Sequence, residues 1–319
     1  MGSSVVGVDL GGTRIRACLA DASGGIIRQS QRLTRAHEGP ESVLLRIRAV
    51  VNDVLAGVDR ADVQAIGVGS PGPLDPRTGV VIAPPNLPGW ANVPLRDIMA
   101  RAFGVPVFLN NDANLAGLAE HRFGAGQGAD DMVYLTISTG IGGGVLCGGS
   151  LLMGAHGLAG EPGHMTVEPS GPVCNCGNIG CLECMSSGLA IARQATEWIS
   201  QGQGSILADE LDAGNVLTAE IVGGAALVGD ELALRVVGRA AHYLGIGVLS
   251  LVHVFDPELV VLGGGVTKLG ALLFDPVRTW LQEHGLTAVH RRTPIVPAAL
   301  GDEGGLLGAV AWAVDGQHG

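Results

Sequence analysis

The chain has 319 residues, enough for two domains with substantial cores, and its 47% hydrophobic content excludes a disordered chain. A net charge of -11 argues against nonspecific nucleic-acid binding, whose electrostatic term needs clustered Lys and Arg. The 52 glycines follow no collagen period and sit at strand-to-turn junctions, where backbone can approach a ligand or another backbone.

Taken in chain order, Val5 to Leu10 reads as a short buried strand closed by Gly11-Gly12, and Arg14 to Leu19 alternates as its hairpin partner. Asp9 and Arg14 break this first apolar run and no cationic start precedes it, so it does not read as a signal peptide. Ser42 to Leu55 has helical periodicity through Val43, Ile47, Val50, Val51 and Val54. Ala65 to Val68 reads as a strand ended by Ser70-Pro71-Gly72-Pro73, Leu95 to Phe103 as a helix, and Val107 to Leu109 as a strand running into Asn110-Asn111-Asp112. A helix is expected from Ala113 to Phe123. The pattern then restarts: strand Met132 to Ser138, then a glycine turn and strand in Thr139-Gly140-Ile141-Gly142-Gly143-Gly144-Val145-Leu146. This echo of the first unit suggests a duplicated architecture. Helices are expected at Gly188 to Ser200 and Asp230 to Val254, a strand at Leu259 to Leu262 ended by Gly263-Gly264-Gly265, and a terminal helix at Leu306 to Val314. Strands alternating with helices predict an α/β class with mixed sheets, two halves meeting near residues 112 to 130, and a cleft between them. The longest apolar stretch, Tyr243 to Phe255, is too short to span a bilayer, so no membrane partner is expected.

Asp9-Leu10-Gly11-Gly12-Thr13 couples a carboxylate at a strand end to two glycines and a hydroxyl. Glycine-exposed N–H groups can cradle phosphate, and the carboxylate can hold Mg²⁺ through water. The plain alternative is an ordinary hairpin turn. Ser138 to Gly144 and Gly263 to Gly265 add two more glycine clusters, which favours a nucleotide phosphate chain. No Gly-Lys-Ser or Gly-Lys-Thr occurs, and Gly11-Gly12 leads into a strand, so neither a Walker A loop nor a dinucleotide fingerprint fits. Asp112 is the candidate general base for transfer to an alcohol, against the alternative that it only caps a helix. Glu161, His164 and Glu183 suit adjacent sugar hydroxyls, though single glutamates are more often solvated loop residues; Asn86 is a weaker candidate.

Cys174, Cys176 and Cys181 fall within eight residues and His164 lies upstream. Three sulfurs and one imidazole suit zinc, against a disulfide or plain buried thiols. The reducing cytosol, where the chain is expected, favours the metal.

Together these strings resemble the ROK family of sugar kinases and sugar-responsive repressors, from Val5 to about Val314. The resemblance rests on Asp9 to Thr13, Asn111-Asp112-Ala113-Asn114, Ser138 to Gly144, Gly160-Glu161-Pro162-Gly163-His164, and Cys174 to Glu183. It implies a two-domain actin-like ATPase (ribonuclease H-like) fold. The small α/β domain would cover residues 1–115, with a C-terminal helix at about 303–319 packing back on it. The large domain would cover 116–302 with a zinc-binding insertion. Gly11, Gly12, Thr13 and Arg14, with Thr139 and Gly140, would meet the ATP phosphates, Asp9 would act through Mg²⁺, and Gly263, Gly264 and Gly265 would lie by the adenosine. Asp112 would be the base. Asn86, Asn111, Glu161, His164 and Glu183, with Asp112, would contact the sugar, while His164, Cys174, Cys176 and Cys181 would hold structural Zn²⁺.

Arg14 stands where many members carry Lys, and Cys184 is a surplus thiol read as a non-ligand. Repressor members carry a winged-helix segment before the first strand, and the early start of that strand favours a kinase. Within the resemblance, Glu161 favours glucose-type acceptors over one N-acetylmannosamine kinase branch, where a His is often found, although residues 131 to 188 also look like N-acetylmannosamine kinases. A non-catalytic sugar-binding regulator is the reading from a different class; a zinc hydrolase would need an open metal position. The resemblance suggests a homodimer or higher homo-oligomer.

Overall fold

Val5, Val6, Val8 and Leu10 alternate across the pleat of the first strand, which therefore needs cover on both faces. A computed structural model describes residues 4–316. The strands are β1 (Ser4–Leu10), β2 (Arg14–Asp21), β3 (Ile26–Leu33), β4 (Val63–Ser70), β5 (Leu74–Asp75), β6 (Val80–Val81), β7 (Val107–Asn111), β8 (Met132–Ile137), β9 (Ile141–Cys147), β10 (Ser150–Leu151), β11 (Leu259–Gly263) and β12 (Ile295–Pro297). The helices are α1 (Pro40–Val54), α2 (Leu95–Phe103), α3 (Asp112–Phe123), α4 (Leu182–Ser186), α5 (Gly188–Ser200), α6 (Leu207–Asp212), α7 (Ala219–Leu227), α8 (Glu231–Phe255), α9 (Ala271–His284) and α10 (Gly304–Asp315).

One sheet has the order β3-β2-β1-β4-β7 and the other β10-β9-β8-β11-β12. Renumbered from its own first strand, each reads third, second, first, fourth, fifth. The duplication suspected from glycine strings is therefore a duplication of topology. In both, a parallel strand flanks the first strand on one side and the glycine turn leads to the second on the other.

The chain divides into two compact units. One comprises residues 1–128, 144–160 and 299–319; the other comprises 129–143 and 161–298. In the first unit, Val6, Val8 and Leu10 pack with Val43, Ile47, Val50, Val51 and Val54 of α1. Each such side chain contributes about 1.5–3 kcal/mol on burial. The opposite face, carrying Val5, Cys18, Ala20 and Ala65, is covered by Leu306, Val310 and Ala313 of α10. The approach is close: a carbon added at Gly67 would lie 1.8 Å from the Ala309 carbonyl oxygen, and one at Gly7 would lie 2.6 Å from that of Leu306.

Two sequence expectations need correction. Gly142, Gly143 and Gly144 do not form a turn; they lie inside β9, and the turn is confined to residues 138–140. The reason is packing rather than bending, since a carbon on Gly143 would lie 2.5 Å from the Tyr134 carbonyl oxygen and 2.6 Å from Pro162. The apolar stretch ending at Phe255, read as too short to span a bilayer, is the second: it lies in the helix expected from Asp230 to Val254, and the whole of that helix is apolar enough to count. It belongs to the 25-residue α8, which among the described residues is the one helix long and apolar enough to cross a membrane. Its faces carrying Leu232, Val236, Leu244, Val248 and Val252 are buried within the fold.

Candidate active site

The first unit brings three chemistry-bearing residues to the C-terminal ends of parallel strands. Asp9 of β1 pairs in register with Gly69 of β4, and Ser70 of β4 pairs with Asn111 of β7. Strand ends of this kind are where open α/β sheets bind ligands. The turn from Gly11 to Arg14 is closed by Gly11 N–H donating to the Arg14 carbonyl at 2.9 Å. Thr34, fully buried, fixes it from β3's end: its hydroxyl donates to the Gly11 carbonyl at 2.6 Å and its N–H to that of Thr13 at 2.8 Å. Thr13 and Arg14 are exposed. Asn86 lies against this turn, because a carbon added at Gly12 would sit 3.1 Å from Asn86 Cβ.

The cap of α3 is the residue before Asp112. Asn111 is the N-cap of α3: its side-chain oxygen accepts from Ala113 N–H at 2.9 Å and Asn114 N–H at 3.2 Å. Asp112 is the first helical residue, half-buried, with Oδ1 accepting from Ala113 N–H at 2.8 Å. Asn110 is fully buried and its oxygen accepts from Asn111 N–H at 2.8 Å, which fixes the strand-to-helix corner from behind.

In the second unit, the ends of β8 and β11 adjoin. Gly264 has φ +88°, and a carbon there would lie 2.3 Å from the Ile137 carbonyl oxygen, so only glycine fits. Thr139 is exposed on the adjoining turn. That turn is held from α5 by Gly188 N–H donating to the Ser138 carbonyl at 2.7 Å, and by Glu183, whose Oε2 accepts from Ile141 N–H at 2.9 Å. A carbon on Gly140 would lie 2.3 Å from the same carboxylate oxygen. Glu183 thus touches the glycine turn as well as standing near Glu161. Glu161 is accessible, yet nearby protein desolvates its carboxyl and pushes it above the ordinary glutamate value, with His164 opposing and Glu183 adding to the shift.

His164, Cys174, Cys176 and Cys181 offer four donor atoms all within 4.8 Å of one another. Cys174 Sγ is 3.9 Å from His164 Nδ1, and Cys176 Sγ is 3.7 Å from Cys181 Sγ. A tetrahedral zinc with ordinary bond lengths sets sulfur–sulfur edges of about 3.8 Å and sulfur–nitrogen edges of about 3.6 Å. The donor set therefore fits a metal ion of that kind. Burial pushes the Cys181 thiol up to about 12 and raises that of Cys174, whereas the Asn178 N–H lowers that of Cys176. A bound cation would offset that cost of ionising buried sulfur. Cys184 lies outside the four; its thiol donates to the Cys181 and Pro172 carbonyls.

Sequence reasoning missed Thr34, Arg16 and Glu120. Arg16 donates to the Asp9 carboxylate, and buried Glu120 accepts from the N–H groups of Ala125, Ala299 and Leu300. No local motif marks them, because strand register and the packing of loops bring their partners to them.

Two sheets of one strand order, with glycine turns at their strand ends and an Asp-bearing helix start, define a two-domain actin-like ATPase fold, shared with solved sugar kinases. The chain belongs to the ROK family, which matches residues 5–316. It is similar to a ROK hexokinase from Thermus thermophilus, with TM-score 0.84 and 42% identity over 99% of this chain and 100% of that one. It is also similar to a ROK family glucokinase from Streptomyces griseus, solved in complex with glucose and AMPPNP, with TM-score 0.81 and 34% identity over 98% and 100%. A glucokinase from Thermotoga maritima is 39% identical over 307 residues, covering 96% of each chain.

Proposed function

We propose that the protein is an ATP-dependent hexose kinase that converts glucose to glucose 6-phosphate. The observation that carries this reading is the placement of Asp112 at the start of α3, with the capping role taken by Asn111, in a chain similar to glucokinases along its whole length. Asp112 accepts the proton of the sugar hydroxyl as that oxygen bonds the γ-phosphorus; the bond to the β,γ-bridging oxygen breaks and ADP leaves. Gly11, Gly12, Thr13, Arg14, Thr139 and Gly140 present N–H and hydroxyl donors to the phosphates, and Gly263 to Gly265 accommodate the adenosine. Asn86, Asn111, Glu161, His164 and Glu183 orient the sugar. Magnesium, held by Asp9 through water, would supply neutralisation of phosphate charge. His164, Cys174, Cys176 and Cys181 would hold one structural zinc, cross-linking a segment poor in regular structure. We place the protein in the cytosol, at the entry of sugar into glycolysis, as a homodimer or higher homo-oligomer.

A coupled assay of ADP release over hexoses and N-acetylhexosamines tests the reading. Glucose is expected to give the highest kcat/KM. Turnover confined to N-acetylmannosamine would move the acceptor to an amino sugar. Sugar binding without transfer from ATP to any member of the panel would make the protein a regulator and end the kinase reading.

A further inference from the structure

Arg16 has no role in the proposal above, yet it is the residue most tightly bound to Asp9. The two stand opposite each other in the register of β1 and β2. Strand parity puts both on the sheet face that carries Val5 and Cys18, the face covered by α10. There Arg16 Nε and Nη2 both donate to a single oxygen, Asp9 Oδ2, at 3.0 and 2.5 Å. The remaining guanidinium nitrogen, Nη1, donates to the Asp302 carbonyl at 2.5 Å. The pair is largely shielded, with side chains 26% and 14% exposed.

The Asp9 carboxylate is confined from the other side as well. A carbon added at Gly305, in the first turn of α10, would lie 3.0 Å from both Asp9 Cγ and Oδ2. The loop that delivers this turn is itself anchored: Glu120, 2% exposed, accepts from Ala299 N–H at 3.0 Å and Leu300 N–H at 2.9 Å. Asp9 is therefore held between a guanidinium and the N-terminal turn of a helix, both favourable neighbours for a carboxylate. Arg16 occupies Oδ2 and so decides which oxygen is left for another partner.

Resting on the kinase reading, we infer that Arg16 is a positioning residue, which orients the Asp9 carboxylate for magnesium-dependent binding of the nucleotide phosphates. A lysine cannot replace it, because an ammonium lacks the fixed fork that reaches one carboxylate oxygen and a distant carbonyl together. The rival explanation is that Arg16 only stitches β2 to the loop before α10.

Calorimetric titration of AMPPNP with magnesium separates the two, using Arg16→Met, Arg16→Lys, Asp9→Asn and the double variants. Arg16→Met is expected to weaken AMPPNP binding about tenfold, a coupling ordinary for residues in direct contact. Arg16→Lys is expected to recover only part of it, and glucose affinity should stay at the wild-type value. In the Asp9→Asn background, Arg16→Met should cost no further affinity. An equal loss in that background, an equal loss of glucose affinity, or full AMPPNP affinity in Arg16→Met would overturn the inference. If circular dichroism shows Arg16→Met unfolded, Arg16→Lys decides: wild-type affinity there also overturns it. Wild-type protein that binds no AMPPNP would remove the kinase reading itself; wild-type binding that is indifferent to Arg16 removes only the inference.

Discussion

At the residue scale, the corner Asn110-Asn111-Asp112 divides labour among three similar side chains. Asn110 braces the strand end, Asn111 caps the helix, and Asp112, the first residue of α3, is the one to which the proposed mechanism gives the proton transfer. Asp112→Asn keeps the shape and removes the basic oxygen. It should lower kcat by about 10²–10⁴-fold with glucose binding retained, as stopped-time assays and calorimetry will show. A variant with near wild-type kcat would remove Asp112 from the mechanism. The cysteines divide similarly. Burial pushes the Cys18 thiol up to about 12, so little thiolate is present near neutrality, while Cys147 is exposed. Iodoacetamide followed by peptide mass spectrometry should label Cys147 in native protein and Cys18 only after unfolding. Cys184→Ser should leave the metal in place, whereas Cys181→Ser should lose it; loss of metal from Cys184→Ser would show that a different set of sulfurs binds.

Elements were legible in the sequence where one periodicity governed them. Leu95 to Phe103 and Gly188 to Ser200 end where their apolar repeats and flanking glycine or serine say they should. β3 was missed because Ile26 to Leu33 is an edge strand with mostly exposed side chains, which leaves no burial pattern to read. The glycines of β9 misled because composition does not distinguish a residue that bends from one that yields space. The candidate site was legible where neighbours in sequence act together, as in the cysteine cluster, and illegible at Arg16 and Glu120, whose partners depend on strand register and helix packing. Space is what Gly67 supplies. Gly67→Ala should destabilise the protein by about 1–3 kcal/mol or more by pushing α10 off β4. Gly204→Ala, where nothing lies within 4 Å, is the control, and thermal melts compare them. The 164–183 segment is held by isolated bridges such as Thr166–Cys181 and Val173–Ile179 rather than by a sheet. Metal analysis is expected to find about one zinc per chain. Chelation should raise hydrogen exchange across that segment and, through Glu183, at the 138–141 turn, while the β1–β2 hairpin stays protected. Uniform exchange on chelation would deny the metal a local role.

At the scale of the whole molecule, charge and chain order matter most. With 30 acidic against 19 basic side chains, the protein should not bind duplex DNA even at low salt, and fluorescence anisotropy that shows binding would contradict this. Chain order has a further effect through α10. Residues 304–315 are made about 230 residues or more after β1, β2 and β4, yet they supply one wall of the core built on those strands. During synthesis the first sheet must therefore wait, one face bare, while the 161–298 stretch is completed behind it. For that interval the nascent chain exposes Val5, Cys18, Ala20 and Ala65 to whatever else is sticky nearby, and only the synthesis of Leu306, Val310 and Ala313 ends that exposure.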